Sequence, residues 1–367
     1  MQVLDFMNSH SNWEDILTQN PYNILVKRDG DYILLKYNQL DSDFSMPIVR
    51  ECRGSIFYCN KEGMYECVCR AFDKFGNYGE SYVPTIDWDS AIVEEKVDGS
   101  LIKVWYHNDK WHVSTNGTID AYKAEVDGIG LTFGNVFEKA IGDKKFFFSR
   151  LDKNLTYMFE LVSPETRVVI PYQHTMLYML GCRDMNTMQE CDAHDTELMF
   201  RCNISYPKTF SLETLEECLA YVKRMTKDEE GFVVCDKNYN RVKIKSPEYL
   251  MAAHLRNNGA ITTKRIINMM KDNMIDDFIA YCPTYADKVN NVIELIANLR
   301  YQLEYMWAHV AHIEDRKEFA EAAKRFERSD WLFDKYKNPD LRVSDWIMSC
   351  TTAKILRMIE NEGSDNS

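Results

Sequence analysis

The 367-residue chain predicts an α+β protein in two parts: antiparallel strands with helices over residues 1–252, then an all-α stretch over 253–367. Three observations carry that expectation. Short β-branched and aromatic runs separated by turn residues dominate the first 250 positions. Beyond them only two of the fifteen glycines remain, and apolar residues recur at steps of three and four. A composition of 45% hydrophobic and 13% aromatic residues can fill two cores, which argues against a disordered chain.

Taken in order, the strand-like runs are YILLKY (32–37), GSIFYCNKEGMYECV (54–68), LIKVWYHNDKWHVST (101–115), YMFELV (157–162), TMLYMLGC (175–182) and GFVVCDKNYNRVKIK (231–245). The three longest read as hairpins, each with turn residues at its centre. A helix is expected over 211–225, capped by Ser211, with Leu212, Leu215, Leu219 and Val222 on one face. In the second part, Val289, Val292, Ile293, Ile296, Leu299, Leu303, Met306, Val310 and Ile313 form one apolar stripe. Further helices are expected over 316–329 and, capped by Ser344, over 344–361.

Neither a basic and apolar leader nor the roughly 18-residue apolar run of a membrane helix is present, so a soluble cytoplasmic protein is expected. Eleven scattered cysteines with no CxxC pair read as reduced thiols, and Cys67 and Cys69 read as core fillers sharing one strand face. The net charge of -13 argues against coating nucleic acid with the whole surface, while leaving room for a local basic groove. Residues 1–250 carry 39 acids against 28 bases, and 251–367 carry 18 against 16.

Lys96 lies in EEKVDGSL, between a strand-like run and an Asp-Gly turn. It is either a solvated turn lysine or a positioned amine, and a Lys-x-Asp-Gly tetrad alone arises by chance in roughly one chain in ten of this length. Other segments add weight. Glu160 stands in the apolar run YMFELV, where a carboxylate is costly unless it meets a polar pocket, a metal or a ligand hydroxyl; the alternative is an edge glutamate facing water. Glu230 enters the strand GFVVC, and in VKIK a period of two sets Lys243 and Lys245 on one face with Val242 and Ile244 on the other. An ordinary half-exposed strand fits those four residues equally. Arg53 in RECRGSIFY and Lys74 in AFDKFGN offer a guanidinium fork and a point charge suited to phosphate oxygens, though either alone fits a surface base.

KVDGS, FEL, EGFVV and VKIKS, in that order, resemble the nucleotidyl-transferase motifs shared by polynucleotide ligases and RNA capping enzymes. With ECRGSIF, DKFGN and FELVSPETRVVI added, the chain more closely resembles the RNA ligase 1 family of T-even bacteriophages, strongly to residue 250 and more loosely beyond. The resemblance implies an ATP-grasp-like nucleotidyl-transferase domain over 1–252 and a helical RNA-specificity domain over 253–367. It also implies a three-step reaction: Lys96 attacks the α-phosphate of ATP to give lysyl-AMP, AMP passes to an RNA 5′-phosphate, and a 3′-hydroxyl displaces it.

Under the same resemblance, Lys243 and Lys245 would contact the α-phosphate, Arg53 and Lys74 the β and γ phosphates, and Tyr37 in KYN the nucleotide pocket. Gly99 would let the backbone approach the nucleotide. Glu160 and Glu230 would serve the ribose or hold Mg2+ (or Mn2+), and Asp276 in IDDFIAY would offer a second metal site. The implied partner is RNA, a tRNA broken in its anticodon loop, met by a monomer in the cytoplasm of a phage-infected bacterium. Lys317, Lys324, Arg325 and Arg328 would face RNA phosphates, or else form a solvated helix face. Two departures stand out. Ser114 and Asn116 occupy positions where relatives place bases, and Gly76 one that is often aromatic. A DNA ligase or capping guanylyltransferase would need a β-barrel after KIKS, and a non-catalytic RNA-binding protein would need none of these side chains.

Overall fold

The computed structural model describes residues 1–39, 41–126, 129–191, 201–250, 262–271, 275, 278–279 and 285–360. The chain divides into two compact units, Met1–Arg256 and Asn257–Ser367. That division and the expected boundary after residue 252 both fall within 251–261, outside the described residues.

The first unit holds three larger sheets, antiparallel but for one added strand, and a two-stranded antiparallel ribbon of Glu125–Val126 with Leu131–Thr132. In one, Ile24–Asp29, Tyr32–Tyr37, Arg53–Cys59 and Tyr65–Cys69 lie side by side in chain order. The helices Gln2–Ser9, Trp13–Leu17 and Pro47–Glu51 cover it, burying Val3, Met7, Trp13 and Leu17 against Ile33, Leu35 and Phe57. In the second, the order is Glu190–Cys191, Met176–Asp184, Leu155–Val162, Ser100–His107 and Lys110–Thr115, with Ile204–Ser205 parallel to Met176–Asp184. Its apolar face (Ile102, Val104, Phe159, Leu161) meets the helices Phe133–Ile141 and Lys144–Ser149 through Val136, Phe137 and Phe147. A reciprocal Thr132–Asn135 box starts the former helix by satisfying backbone donors that a helix start leaves open.

The third sheet runs Thr209–Phe210, Ile92–Glu95, Gly231–Cys235, Arg241–Lys245. Val93, Phe232, Val234, Val242 and Ile244 pack on Cys218 and Val222 of the helix Leu215–Val222. Alternation along the strand therefore turns Arg241, Lys243 and Lys245 to the other side.

All three expected hairpins form, with Phe57 opposite Cys67, Lys103 opposite Ser114 and Val233 opposite Lys243. The helix expected from Ser211 starts later: Thr209–Phe210 is taken into the sheet beside Val93 and Glu94, and Thr214 caps instead, accepting from Glu217 N at 3.2 Å. Cys67 and Cys69 are both buried, yet they enter different clusters, because the register of Arg53–Cys59 against Tyr65–Cys69 shifts between Ile56 and Phe57.

The described residues of the second unit form helices Thr263–Lys271, Ala286–Val310, Arg316–Ala323, Ser329–Lys337, Val343–Ser349 and Thr352–Glu360. The predicted stripe is buried at Val289, Val292, Ile296, Leu299, Leu303 and Val310, and Ile313 lies past the helix end. The helix expected over 316–329 stops at Ala323 and a separate one starts at Ser329. That over 344–361 is split at Cys350, whose ψ of 152° is extended; it begins at Val343, so Ser344 lies inside it. Among the described residues no helix is long and apolar enough to cross a membrane. The architecture is α+β, sheets first and helices after.

Candidate active site

Lys96 follows directly on the strand Ile92–Glu95, and its N–H donates to Gly231 O at 2.8 Å. This bond ties the lysine to the start of the central strand Gly231–Cys235. Gly231 is required there: its φ is +135°, and a Cβ would lie 2.2 Å from Ile244 O. The turn delivers Glu230 beside Lys96, with Nζ 2.8 Å from Oε1, and the Lys245 Nζ approaches the same oxygen at 3.1 Å. Glu230 is only 4% exposed. Its second oxygen, Oε2, is buried without a hydrogen-bond partner among the described residues. A buried carboxylate oxygen left open in this way is costly unless a ligand or ion satisfies it.

The two residues after Val97 hold the loop. Asp98 Oδ2 accepts from Val169 N (2.8 Å) and Ile170 N (2.7 Å), and Oδ1 accepts from Tyr249 Oη–H (2.8 Å). Burial and Glu230 push the Asp98 carboxyl up, while these donors pull it down. With both oxygens so engaged, Asp98 positions the Lys96 loop. Gly99 has no room for a side chain, since a Cβ would meet Leu161 O at 2.5 Å and Glu160 Cγ at 2.9 Å. The close approach brings Glu160, on Leu155–Val162, toward Lys96. Burial pushes Glu160 up to about 7; Lys96 and Arg53 favour its ionised form, and Glu230 and Asp98 oppose it.

Lys243 and Lys245 share the sheet face opposite Val242 and Ile244, as the alternation predicted. Lys243 Nζ lies 5.1 Å from the centre of the Phe75 ring, and the Arg53 guanidinium 5.8 Å from that same ring. Arg53 Nη1 is buried without a partner among the described residues. Lys74 sits over Phe44 (4.1 Å) and Tyr37 (5.2 Å), whose rings meet edge to face. Lys96, Glu160, Glu230 and Lys245 thus form one charged cluster around Gly99. Arg53, Lys243 and Phe75 adjoin it through Arg53's influence on Glu160, and Lys74 with Tyr37 forms a neighbouring group. Asp276 lies outside the described residues.

The two departures acquire physical reasons. Gly76 is enforced by packing, as a Cβ would lie 2.4 Å from Glu80 Oε2, and Phe75 supplies an aromatic wall instead. Ser114 is buried opposite Lys103, accepting from Trp105 Nε1 at 3.2 Å. Lys103 is fully buried and donates to Gly54 O, beside Arg53. Its amine is held low by burial foremost, and Lys36 is likewise lowered by burial, then by Lys27 and Arg53. Cations therefore reach this region from the strand paired with the Ser114 arm, through Lys103, and from the first sheet, through Lys36 opposite Arg53. Sequence reasoning missed Lys36, Lys103, Asp98 and Tyr249. Lys103, a lone cation in LIKVW, carried the same signal that singled out Glu160.

The model of the RNA ligase family matches residues 51–249, more than half of the chain and the whole run from Arg53 to Lys245. The chain belongs to the RNA ligase family. The ligase is 26% identical over 343 residues to an RNA ligase of Rhodothermus phage RM378, covering 77% of this chain and 76% of that protein. It is 31% identical over 279 residues to a protein of Autographa californica nuclear polyhedrosis virus described as a candidate bifunctional polynucleotide kinase/RNA ligase. That match covers 70% of the ligase but 38% of the viral protein, so the ligase spans well under half of that relative's length. A solved archaeal ATP-dependent RNA ligase is 15% identical, with 88% of this chain and 89% of that chain covered and a TM-score of 0.47.

Proposed function

We propose that the ligase joins RNA 5′-phosphate and 3′-hydroxyl ends at the expense of ATP, with Lys96 as its nucleophile. The supporting observation is the buried Lys96–Glu230–Lys245 cluster: an amine held beside a carboxylate with an unsatisfied oxygen and a second cation. In the first step the Lys96 amine forms a bond to the α-phosphorus, pyrophosphate leaves with the electrons of the broken P–O bond, and the amine's proton goes to solvent. An ammonium paired to Glu230 has no lone pair to offer, so this ion pair must loosen when the nucleotide arrives. Lys245 and Lys243 would neutralise charge on the α-phosphate. Arg53, with a buried unpartnered Nη1, and Lys74 suit the β and γ phosphates. Tyr37, whose ring lies 5.2 Å from Lys74 Nζ, would line the nucleotide pocket. AMP then passes from Lys96 to the RNA 5′-phosphate, and the 3′-hydroxyl displaces it.

Glu160 and Glu230 suit a divalent cation, Mg2+ or Mn2+. One presents an unsatisfied oxygen, and the other a carboxyl that burial holds near neutrality. Among the described residues no group of three or more His, Cys, Asp or Glu side chains is placed to hold a metal, so water and phosphate oxygens would complete its shell. A bound ion would screen phosphate charge and polarise the scissile bond. Asp276 belongs to the same proposal as a second metal site, in the helical unit.

The proposed partner is a tRNA nicked in its anticodon loop, selected by the helical unit of a monomer in the host cytoplasm. Incubating the purified protein with α-labelled ATP or GTP tests the first step: covalent label from ATP supports it, and label from GTP alone would make the protein a capping-type guanylyltransferase. A panel of nicked tRNA, linear single-stranded RNA, nicked duplex RNA and nicked DNA, each with 5′-phosphate and 3′-hydroxyl, then reads the substrate.

A further inference from the structure

Within the first unit lies a cavity of about 630 Å³, between the segment 72–84, the turn 189–190 and the tip of the hairpin 237–241. It lies off the Lys96 cluster and shares only its near wall, Lys74 and Phe75, with the nucleotide site. Its lining is strongly basic: Arg50, Lys74, Arg183, Lys237 and Arg241 face it, against Asp73 and Glu190. Both acids are already committed. Asp73 is held by Arg70 at 2.8 Å, and Glu190 braces Arg183 at 2.8 Å and Arg241 at 2.5 Å. Lys237 in turn pairs with Asp87 at 2.9 Å, and five cations set against Asp73, Glu190 and Asp87 still leave a positive excess in a part of the chain whose average is acidic.

The cavity is built, and it is connected to the chemistry. Asp236 fixes the hairpin tip by accepting from Asn238 N (2.8 Å) and Asn240 N (3.0 Å), and Tyr239 takes φ +61° there. Arg241 stacks over Phe72 at 4.3 Å. Along the strand Arg241–Lys245, alternate side chains share one face at steps of roughly 6.6 Å. Lys245 stands at Lys96, Lys243 one step away over Phe75, and Arg241 a second step away at the cavity. The nucleotide phosphates occupy the first step on the reading above, and the second lies beyond them.

We infer that this cavity binds a phosphate-bearing nucleotide of the single-stranded RNA being joined, with its phosphate against Arg241 and Lys237 and its base against the aromatic walls. Guanidinium groups suit phosphate oxygens bidentately, aromatic faces stack any base, and Asn238 presents a donor and an acceptor to a base edge. The inference rests on the ligase reading of Lys96 and adds a second place where RNA is gripped, outside the helical unit.

The test uses the full-length protein and two variants, Arg241→Gln and Lys237→Gln; the Lys237 side chain is exposed and pairs with Asp87 at 2.9 Å, and circular dichroism checks that both variants are folded. Binding of a fluorescent 5′-phosphorylated single-stranded RNA is titrated over a range of salt, and self-labelling by α-labelled ATP is measured in parallel. Each variant should lose roughly tenfold in RNA affinity, with a log–log salt slope shallower by about 0.7 per lost phosphate contact, while labelling stays within about twofold of wild type. Unchanged affinity and slope in both variants would overturn the inference. So would a raised ATP requirement with RNA binding intact, which would give the cavity to the triphosphate. A wild type that takes no label from ATP would instead sink the reading of Lys96, and the RNA titrations would still report on the cavity.

Discussion

Burial raises the Glu160 carboxyl to about 7, so its charge changes across neutral pH. Burial favours its neutral form, so between the ordinary carboxylate range and about 7 the folded chain holds a proton that the unfolded chain has released. The stability tied to that proton is complete below the unfolded value and is lost as pH rises through about 7. Glu160→Gln stays neutral throughout. Without divalent ions, its melting temperature should match wild type near pH 4 and exceed it above about pH 8, by the equivalent of ~3 kcal/mol; equal melting at every pH would show that the carboxylate is not strained. Divalent cations bind the ionised form, so Mn2+ affinity of the wild type should rise with pH through the same range. Glu160 was legible in YMFELV because an isolated carboxylate among apolar residues is costly. Asp98 was not, because its partners Val169, Ile170 and Tyr249 lie about 70 and 150 residues away and only the fold brings them in.

The strand Arg241–Lys245 shows what a short pattern can and cannot convey. Period two set Lys243 and Lys245 on one face, and the packing of Val242 and Ile244 on the helix Leu215–Val222 holds that face toward Lys96. Lys243→Ala and Lys245→Ala should each slow AMP labelling by roughly a hundredfold, whereas Lys110→Ala, at the exposed start of a strand, and Lys237→Ala, in a turn, should stay within about twofold. Four equal rates would show that the shared face is unimportant. Where elements were misjudged, tertiary pairing decided: with Thr209–Phe210 drawn into a sheet, the helix expected from Ser211 starts only at Leu215, and a register shift separated Cys67 from Cys69. Breaks at 324–328 and at Cys350 interrupt runs whose periodicity continues on either side, so periodicity alone could not locate them.

For the molecule as a whole, the chain divides into two compact units, and every described member of the Lys96 site lies in the first. A fragment of residues 1–256 should therefore still label itself with AMP and lose its preference among RNA substrates, provided circular dichroism shows it folded. A folded fragment that cannot label would mean that the second unit completes the nucleotide site. Retained preference would mean that the helices do not choose the RNA. The acidic surface is no obstacle to RNA binding if contact is confined to local basic clefts, such as the one lined by Arg50 and Arg241.

The decisive experiment locates the covalent bond. The protein is incubated with ATP and a divalent ion, quenched without acid to preserve the P–N bond, digested, and searched by mass spectrometry for an AMP adduct. Lys96 in the EEKVDGSL segment should carry AMP, and Lys96→Ala should carry none at any residue. AMP on another residue of the wild type, or undiminished labelling of the variant, would contradict the role assigned to Lys96.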